Sequence, residues 1–149
     1  MLGLARKGIE ARLGKITKAS SIYETEPWGF ISENSFLNQV IEISTDENPD
    51  QLLDNILKLE KELGRERHGS GYSSRIIDID ILFYNNCIIR KKNLTIPHPR
   101  IEERMFTLVP LKELDEDMVH PGSHKTIGEL YRECKDRVRV ELYGPEVKA

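Results

Sequence analysis

Hydrophobic residues recur at helical spacing in three stretches of the chain, and these stretches predict three helices. The clearest covers residues 48–63, where leucine and isoleucine side chains lie along one helical face. Asn48 is a favourable N-cap, Pro49 suits the first helical position, and Gly64 is expected to end the helix. Shorter patterns predict helices over residues 5–13 and 126–134.

Strands are predicted where apolar and polar residues alternate. The clearest strand lies over residues 76–84, where isoleucines alternate with Asp78 and Asp80, and Asn85-Asn86 then predicts a tight turn. Further strands are predicted over residues 16–23 and 36–44, around Ile88, and over residues 138–143. Because the elements do not form regular strand–helix–strand units, the order favours an α+β fold over a doubly wound parallel sheet.

Length and composition exclude several classes of protein. The 149 residues suit one domain, with 38% hydrophobic and 32% charged residues. No apolar run approaches the ~18 residues of a membrane span, and no signal-peptide pattern begins the sequence, so we expect a cytoplasmic protein without membrane association. The net charge of −3 argues against a nucleic-acid-binding protein. Cys87 and Cys134 are expected to be reduced thiols.

Asp78 and Asp80 are candidate metal ligands. Residues two apart in a strand point to the same face, so both carboxylates are expected on one side. Mg²⁺ prefers oxygen ligands and often takes one or two carboxylates together with substrate phosphates. The alternative is a strand face that is merely exposed to water, which is the commoner meaning of so short a motif. The apolar Ile76, Ile77 and Leu82 favour the metal site, because they indicate a strand covered on both faces.

Basic residues form a second candidate group, namely Arg65, Arg67, His68, Arg75, His98 and Arg104. Guanidinium groups bind phosphate oxygens through paired contacts, and transfer from a triphosphate requires donors of this kind. A solvated loop is the alternative for Arg65 and Arg67. Arg75 favours a phosphate site because it lies three residues before Asp78. His98 stands between two prolines, and by itself it fits a turn histidine equally well.

Two further groups concern a ring-shaped ligand and the loops around it. Phe36, Asn38 and Phe106 suit stacking and hydrogen bonding to a flat heterocycle, although each fits a core position on its own.

The loops over residues 26–35 and 65–74 are longer than turns require, and the glycines and serines of the second suit a lid. The sequence holds no Gly-x-x-x-x-Gly-Lys-Ser/Thr loop, so an ATP site would not be of the P-loop type.

Five segments occur in the order found in one enzyme family: residues 20–25, 36–38, 75–81, 94–99 and 104–106. Together they resemble the 6-hydroxymethyl-7,8-dihydropterin pyrophosphokinase family over nearly the whole chain. The Arg-x-x-Asp-x-Asp segment followed by Pro-His and Arg-x-Phe is specific as a combination. The resemblance implies a single domain over residues 1–149 with a ferredoxin-like, mainly antiparallel sheet and helices packed on it. It also implies transfer of pyrophosphate from ATP to the pterin hydroxymethyl group in folate biosynthesis, with release of AMP.

The same resemblance assigns roles to individual residues. Asp78 and Asp80 would hold two Mg²⁺ ions, and Arg67 and Arg75 would act with them in catalysis. The ATP side would consist of Glu60, Arg65, Arg67, Arg75, Ile81, His98 and Arg104. The pterin side would consist of Thr25, Glu26, Trp28, Phe36, Asn38, Tyr72 and Phe106. The expected ligands are ATP and the pterin, and the protein is expected to be a monomer or a weak homo-oligomer.

One feature departs from the family pattern. Members of the family begin with a strand that leads into a Gly-Ser-Asn loop, whereas here residues 1–4 resemble the end of that strand and Ala5 the middle of the next helix. The sequence therefore predicts that this loop is absent between Leu4 and Ala5. Two other functions remain open from the residues alone. One is a Mg²⁺-dependent nucleotide-using transferase with another acceptor, and the other is a ferredoxin-like regulatory module that binds a ligand without catalysis.

Overall fold

The computed structural model describes residues 2–25, 36–66 and 77–143. Within these ranges four α-helices occur: α1 (Leu2–Arg12), α2 (Pro49–Glu66), α3 (Met105–Asp115) and α4 (Ile127–Glu133). The strands are β1 (Lys15–Ala19), β2 (Tyr23–Thr25), β3 (Phe36–Asn38), β4 (Ile41–Ser44), β5 (Ile89–Lys91), β6 (Leu94–Ile96) and β7 (Val140–Leu142). A short 3-10 turn, Ile101–Glu103, precedes α3.

The described strands form three small antiparallel sheets. β1 pairs with β4, β2 lies between β3 and β7, and β5 pairs with β6. Helices together with antiparallel pairing confirm the predicted α+β class. The ferredoxin-like arrangement of the elements stays a prediction.

The three predicted helices are confirmed as α1, α2 and α4. Asn48 caps α2 as expected, since its Oδ1 accepts from the Gln51 N–H at 2.9 Å and its own N–H donates to Gln51 Oε1 at 3.0 Å. α2 continues past Gly64 to Glu66, so the end predicted at residue 63 is wrong by three residues, because glycine permits helical backbone angles as well. Thr126 and Glu129 form a capping box at the start of α4.

The beginning of the chain differs from the prediction. α1 starts at Leu2 and runs through Leu4 and Ala5 without a break, so the strand end expected there is wrong. Leu4 is exposed while Ala5 and Ile9 are buried, which is the amphipathic pattern of a helix. The absence of the family's loop between Leu4 and Ala5 stays a prediction.

Two predicted strands are each broken in the same place. The strand predicted over residues 16–23 divides into β1 and β2, and the one over residues 36–44 divides into β3 and β4. The buried Ser20 lies at both breaks. Its backbone N–H donates to the Val40 carbonyl at 2.9 Å, but its Oγ accepts from the Val40 N–H at 3.0 Å and its carbonyl accepts from Gln39 Nε2 at 2.7 Å. Side chains therefore take the place of some backbone partners where one sheet ends and the next begins.

The strand predicted over residues 76–84 is wrong, since the structure assigns no strand to residues 77–84. The alternation that motivated this prediction is present. Asp78 and Asp80 are exposed, and the three isoleucines that alternate with them, at positions 77, 79 and 81, are half-buried. The turn at Asn85-Asn86 is confirmed, with Asn85 at φ 51° and the Cys87 N–H donating to the Tyr84 carbonyl. β5 and β7 confirm the two C-terminal strand predictions, and β6 was not predicted.

Pro110 accounts for the failure to predict α3. It lies in the middle of the helix, where proline removes a backbone hydrogen bond and normally argues against helix formation. Leu108 and Leu111 are buried on either side of it, so tertiary packing stabilises the helix despite this loss.

Two hydrophobic clusters form the core. The first joins α1 to α2 and contains Ala5, Ile9, Leu13, Leu52, Ile56, Leu59 and Leu63. The second joins α3 to α4 and contains Ile101, Leu108, Leu111, Ile127 and Leu130. Residues 77–84 contact both, since Ile77, Ile79 and Ile81 pack on the first cluster while Leu82 and Phe83 pack on the second.

Cys87 and Cys134 are both free thiols. Within the described ranges, no helix combines the length and the apolar character needed to cross a membrane.

We expect Leu108→Ala to lower the free energy of unfolding by about 2–5 kcal/mol, because Leu108 is 0% exposed and its truncation leaves a cavity. Leu57→Ala is the matched control, since Leu57 is 51% exposed and its loss should cost no more than about 0.5 kcal/mol. Urea denaturation of both variants gives the two values. Equal destabilisation would contradict the position of the second cluster.

Candidate functional site

A cavity of about 700 Å³ lies where residues 77–85 face α1, β4 and the start of α3. Seven of the residues predicted from the sequence line it, namely Asn38, Asp78, Asp80, Ile81, His98, Arg104 and Phe106. A volume of this size is typical of small-molecule sites. The structure thus brings together residues that are up to 68 positions apart in the chain (38 to 106).

Asp78 and Asp80 project from the segment between the two hydrophobic clusters. Both side chains are exposed, whereas the flanking isoleucines are half-buried against the first cluster. Packing of Ile77, Ile79 and Ile81 therefore turns the two carboxylates outward on one side of the segment. This confirms that both aspartates face the same way, even though no strand is present.

Glu60 fixes the backbone between the two aspartates. Its Oε2 accepts from the Ile79 N–H at 2.6 Å, so a side chain of α2 takes the place of a strand partner. Burial raises the pKa of Glu60, the Ile79 hydrogen bond opposes this, and the charges of Asp78 and Asp80 raise it further. Glu60 was expected near the nucleotide side, and this stays a prediction; in the structure its carboxylate is bonded to the backbone of Ile79.

His98 is held in one orientation by backbone hydrogen bonds. The backbone N–H of His98 donates to the Leu82 carbonyl at 2.9 Å, and the ring Nδ1 accepts from the Arg100 backbone N–H at 3.1 Å. Nε2 then faces Asp80 Oδ2 at 3.9 Å. Burial lowers the pKa of His98, with Arg104 and Arg100 acting in the same direction and Asp80 against it. Because Nδ1 accepts a hydrogen bond, the neutral ring carries its proton on Nε2, toward Asp80.

Arg104 and Phe106 stand at the start of α3. Arg104 occupies the N-cap position, and its guanidinium carbon lies 5.4 Å from the centre of the Phe106 ring. This is the distance of a cation–π contact, which keeps an aromatic face and a positive charge side by side at the cavity. The pair can bind a flat ring and an anionic group of the same ligand.

β2 and β3 carry the other residues predicted to read a heterocycle. Thr25 lies opposite Phe36 and Tyr23 lies opposite Asn38 in the antiparallel register, and Asn38 Nδ2 donates to Thr25 Oγ1 at a long 3.4 Å. Phe36 is 57% exposed, so a core role for this aromatic ring is excluded. Of the three residues predicted to contact the heterocycle (Thr25, Phe36 and Asn38), Asn38 is the one that lines the cavity.

Several predicted site residues fall outside the described ranges. These are Glu26, Trp28, Arg67, Tyr72 and Arg75, together with the side chain of Arg65. Conversely, Arg6 and Lys18 line the cavity and were not predicted. No motif marks them, because they reach the cavity through the packing of α1 and β1 rather than through a local sequence pattern.

A divalent cation fits the donor set only in part. The two exposed aspartates offer the carboxylate oxygens that Mg²⁺ prefers, and Mg²⁺ often completes its coordination with water and substrate phosphates. Within residues 2–25, 36–66 and 77–143, no group of three or more acidic, histidine or cysteine side chains is arranged to hold a metal ion. The site therefore suits a cation that the protein and a phosphorylated ligand hold jointly.

Fold and site define the class of protein: an α+β domain with an acidic pair, an oriented histidine and an arginine–aromatic pair around one cavity. A family model described as 7,8-dihydro-6-hydroxymethylpterin-pyrophosphokinase matches residues 1–116. The chain belongs to this family. This confirms the resemblance drawn from the five sequence segments.

Individual relatives agree with this assignment. The 2-amino-4-hydroxy-6-hydroxymethyldihydropteridine pyrophosphokinase of Aquifex aeolicus is 41% identical over 116 residues, which cover 78% of this chain and 72% of that protein. The Bacillus subtilis protein of the same name is 46% identical over 66% of this chain and 59% of its own length. The folic acid synthesis protein fol1 of Pneumocystis carinii is 39% identical over 82% of this chain, which spans only 16% of that longer protein.

The acidic cluster predicts a measurable coupling. Asp80→Asn removes one of the charges that raise the pKa of Glu60, so we expect the pKa of Glu60 to fall toward its usual value. Carbon-detected NMR titration of the Glu60 carboxyl measures the change. Asp50→Asn is the control, because Asp50 lies at the start of the same helix and pairs with Lys91. An unchanged titration in Asp80→Asn would contradict the proximity of the two carboxylates.

Proposed function

We propose that this chain transfers the pyrophosphoryl group of ATP to the hydroxymethyl oxygen of 6-hydroxymethyl-7,8-dihydropterin and releases AMP, as a step of folate biosynthesis. The observation that carries the proposal is one cavity lined by both exposed aspartates and by the Arg104–Phe106 pair. A phosphate-binding half and a ring-binding half are what a reaction between a nucleotide and a heterocycle requires. Family membership supplies the identity of the two substrates.

Asp78 and Asp80 would hold two Mg²⁺ ions. When bound there, Mg²⁺ would neutralise charge on the triphosphate. The other roles on the phosphate-binding side belong to side chains of the protein. Glu60 holds the Ile79 backbone and so keeps both aspartates aimed at the cavity. His98 would donate from Nε2 to a phosphate oxygen.

Positive charge on the ATP side would come from arginines. Arg104 lines the cavity, and we propose that Arg67 and Arg75 act as catalytic donors to the phosphates, with Arg65 at the edge. These three assignments rest on the match of sequence to family. Guanidinium groups that contact phosphate oxygens stabilise the charge that builds up on the leaving AMP as its bond to the β-phosphorus breaks. Ile81 would contact the nucleotide from the apolar side.

The pterin would lie between aromatic rings. Phe106 and the exposed Phe36 would stack on its two faces, while Asn38 and Thr25 would hydrogen-bond its polar edge. Glu26, Trp28 and Tyr72 are proposed to complete the pterin side. In this arrangement the hydroxymethyl oxygen attacks the β-phosphorus, the bond to the AMP oxygen breaks, and the hydroxyl proton is released.

The proposal extends to the molecule as a whole. A ferredoxin-like arrangement in one domain, a cytoplasmic location, and a monomer or weak homo-oligomer fit a small metabolic enzyme whose partners are ATP and the pterin. The antiparallel pairing of β2 with β3 and β7 supports the first of these.

The experiment is a measurement of AMP release from Mg-ATP with and without 6-hydroxymethyl-7,8-dihydropterin. AMP should form only when the pterin is present. Release without pterin would contradict the assignment of the acceptor, and release with another alcohol instead would favour a different nucleotide-using transferase. Pterin binding that needs no metal and yields no AMP would favour a non-catalytic module.

The metal role predicts the effect of Asp78→Asn in this assay. We expect pterin-dependent AMP release to fall roughly 100-fold or more, because a neutral amide no longer supports the charge on the phosphates. Asp54→Asn is the control, since Asp54 is an exposed aspartate of α2 away from the cavity lining. Wild-type turnover in Asp78→Asn would refute the proposed role of this carboxylate.

A further inference from the structure

The carboxylate of Glu113, in the last turn of α3, accepts three hydrogen bonds from Ser21 and Tyr23, at or just before the start of β2. Its Oε1 accepts from the Tyr23 hydroxyl at 2.7 Å and from the Ser21 N–H at 3.0 Å, and its Oε2 accepts from the Ser21 hydroxyl at 2.9 Å. Tyr23 is buried at the start of β2, and Ser21 lies two residues before that strand. One side chain therefore ties the end of α3 to the beginning of β2.

The opposite end of α3 is tied to the same sheet. The Met105 N–H, in the first turn, donates to Asp136 Oδ2 at 2.9 Å, and Asp136 Oδ1 accepts from the Val138 N–H at 3.0 Å. Asp136 lies in the segment that leads into β7, and β7 pairs with β2. α3 is thus attached at both ends to one sheet, through Asp136 at its start and through Glu113 at its end.

This attachment bears on the pterin half of the cavity. α3 carries Phe106, whereas the sheet carries Thr25 on β2 and Asn38 on β3. Phe106 and Glu113 are seven residues apart, about 10 Å along the helix. Because Asp136 holds Met105 beside Phe106, a shift at the Glu113 end would pivot the helix about that point and turn the Phe106 ring relative to Asn38. Within the described residues, the hydrogen bonds of Glu113 go to Ser21 and Tyr23, which lie outside the segment that holds Asp78 and Asp80.

We propose that Glu113 is a positioning residue that sets the spacing between Phe106 and the polar residues of β2 and β3, and thereby determines affinity for the pterin substrate but not for the nucleotide. The inference rests on the proposed function, because it assigns the ring-binding half of that site. The phosphate-binding half is positioned separately, by Glu60 of α2 acting on Ile79.

The electrostatics of the contact agree with this role. Partial burial acts to raise the pKa of Glu113, and the hydrogen bonds from Tyr23 and Ser21 outweigh it, so the pKa lies below its usual value. Burial, followed by the Glu113 contact, raises the pKa of Tyr23 to about 12. Glu113 therefore stays ionised and Tyr23 stays protonated at neutral pH, which is the pairing of acceptor and donor that the geometry requires.

The test compares Glu113→Ala with Glu113→Gln in the full chain. Isothermal titration calorimetry gives the Kd of 6-hydroxymethyl-7,8-dihydropterin and, separately, of a non-hydrolysable ATP analogue with Mg²⁺. Steady-state kinetics gives KM for each substrate and kcat. We expect Glu113→Ala to raise the pterin Kd and KM about 10-fold or more and to leave the nucleotide Kd within about twofold, since small displacements at a site have large effects. Glu113→Gln should recover most of the affinity, because its amide oxygen still accepts from Tyr23.

Two further variants separate positioning from general stability. Glu116→Ala is the matched control, because Glu116 lies one turn further along and makes an exposed ion pair with Lys112 on the same helix. We expect Glu116→Ala to leave both the Kd of the pterin and the Kd of the ATP analogue unchanged. Should Glu113→Ala fail to fold, Tyr23→Phe removes a single hydrogen bond and should still raise the pterin Kd selectively.

Each outcome bears on the inference. Selective loss of pterin affinity with recovery in Glu113→Gln supports it. Equal loss of both affinities, or no change in either for Glu113→Ala or Tyr23→Phe, overturns it while leaving the proposed function intact. Absence of pterin binding by the wild-type protein, both with and without the ATP analogue, overturns the proposed function, and the inference fails with it.

Discussion

Packing of residues 77–84 between the two hydrophobic clusters is the constraint on which the rest of the structure depends. Isoleucines at alternate positions are held by the first cluster, and Leu82 with Phe83 enters the second. The segment makes no strand, so its position depends on these side chains and on the Glu60 bond to Ile79. Asp78 and Asp80 line the cavity and are exposed, whereas the isoleucines that alternate with them are half-buried against the first cluster.

The two halves of the cavity are therefore built by different parts of the fold. The acidic half is formed by residues 77–84, which Glu60 of α2 holds in place, whereas the aromatic half is formed by the start of α3 together with Asn38 of β3. A carboxylate fixes each half, Glu60 in one and Glu113 in the other. In the proposed function, this division would let a small domain bind a charged nucleotide and a flat heterocycle side by side. The affinity for one ligand could then change while the affinity for the other stays the same.

Elements stabilised by local interactions could be predicted from the sequence. α2 has an apolar face and the Asn48 cap within its own residues, so spacing and composition suffice. The breaks between strands could not be predicted, because the bond from Val40 to Ser20 joins residues 20 positions apart. α3 contains Pro110 and forms through tertiary packing. Likewise, the exposed position of Asp78 follows from the alternation of apolar and polar residues, whereas the acceptor role of Glu60 depends on a backbone contact that no motif records.

Transfer of a pyrophosphoryl rather than a phosphoryl group is the central claim about chemistry, and the fate of the β-phosphate tests it most directly. ATP labelled at the β-phosphorus would be incubated with Mg²⁺, 6-hydroxymethyl-7,8-dihydropterin and the protein, and the products separated. The account predicts that the label appears in the pterin product and that the AMP is unlabelled. Label retained in ADP, or the absence of any labelled pterin, would contradict it.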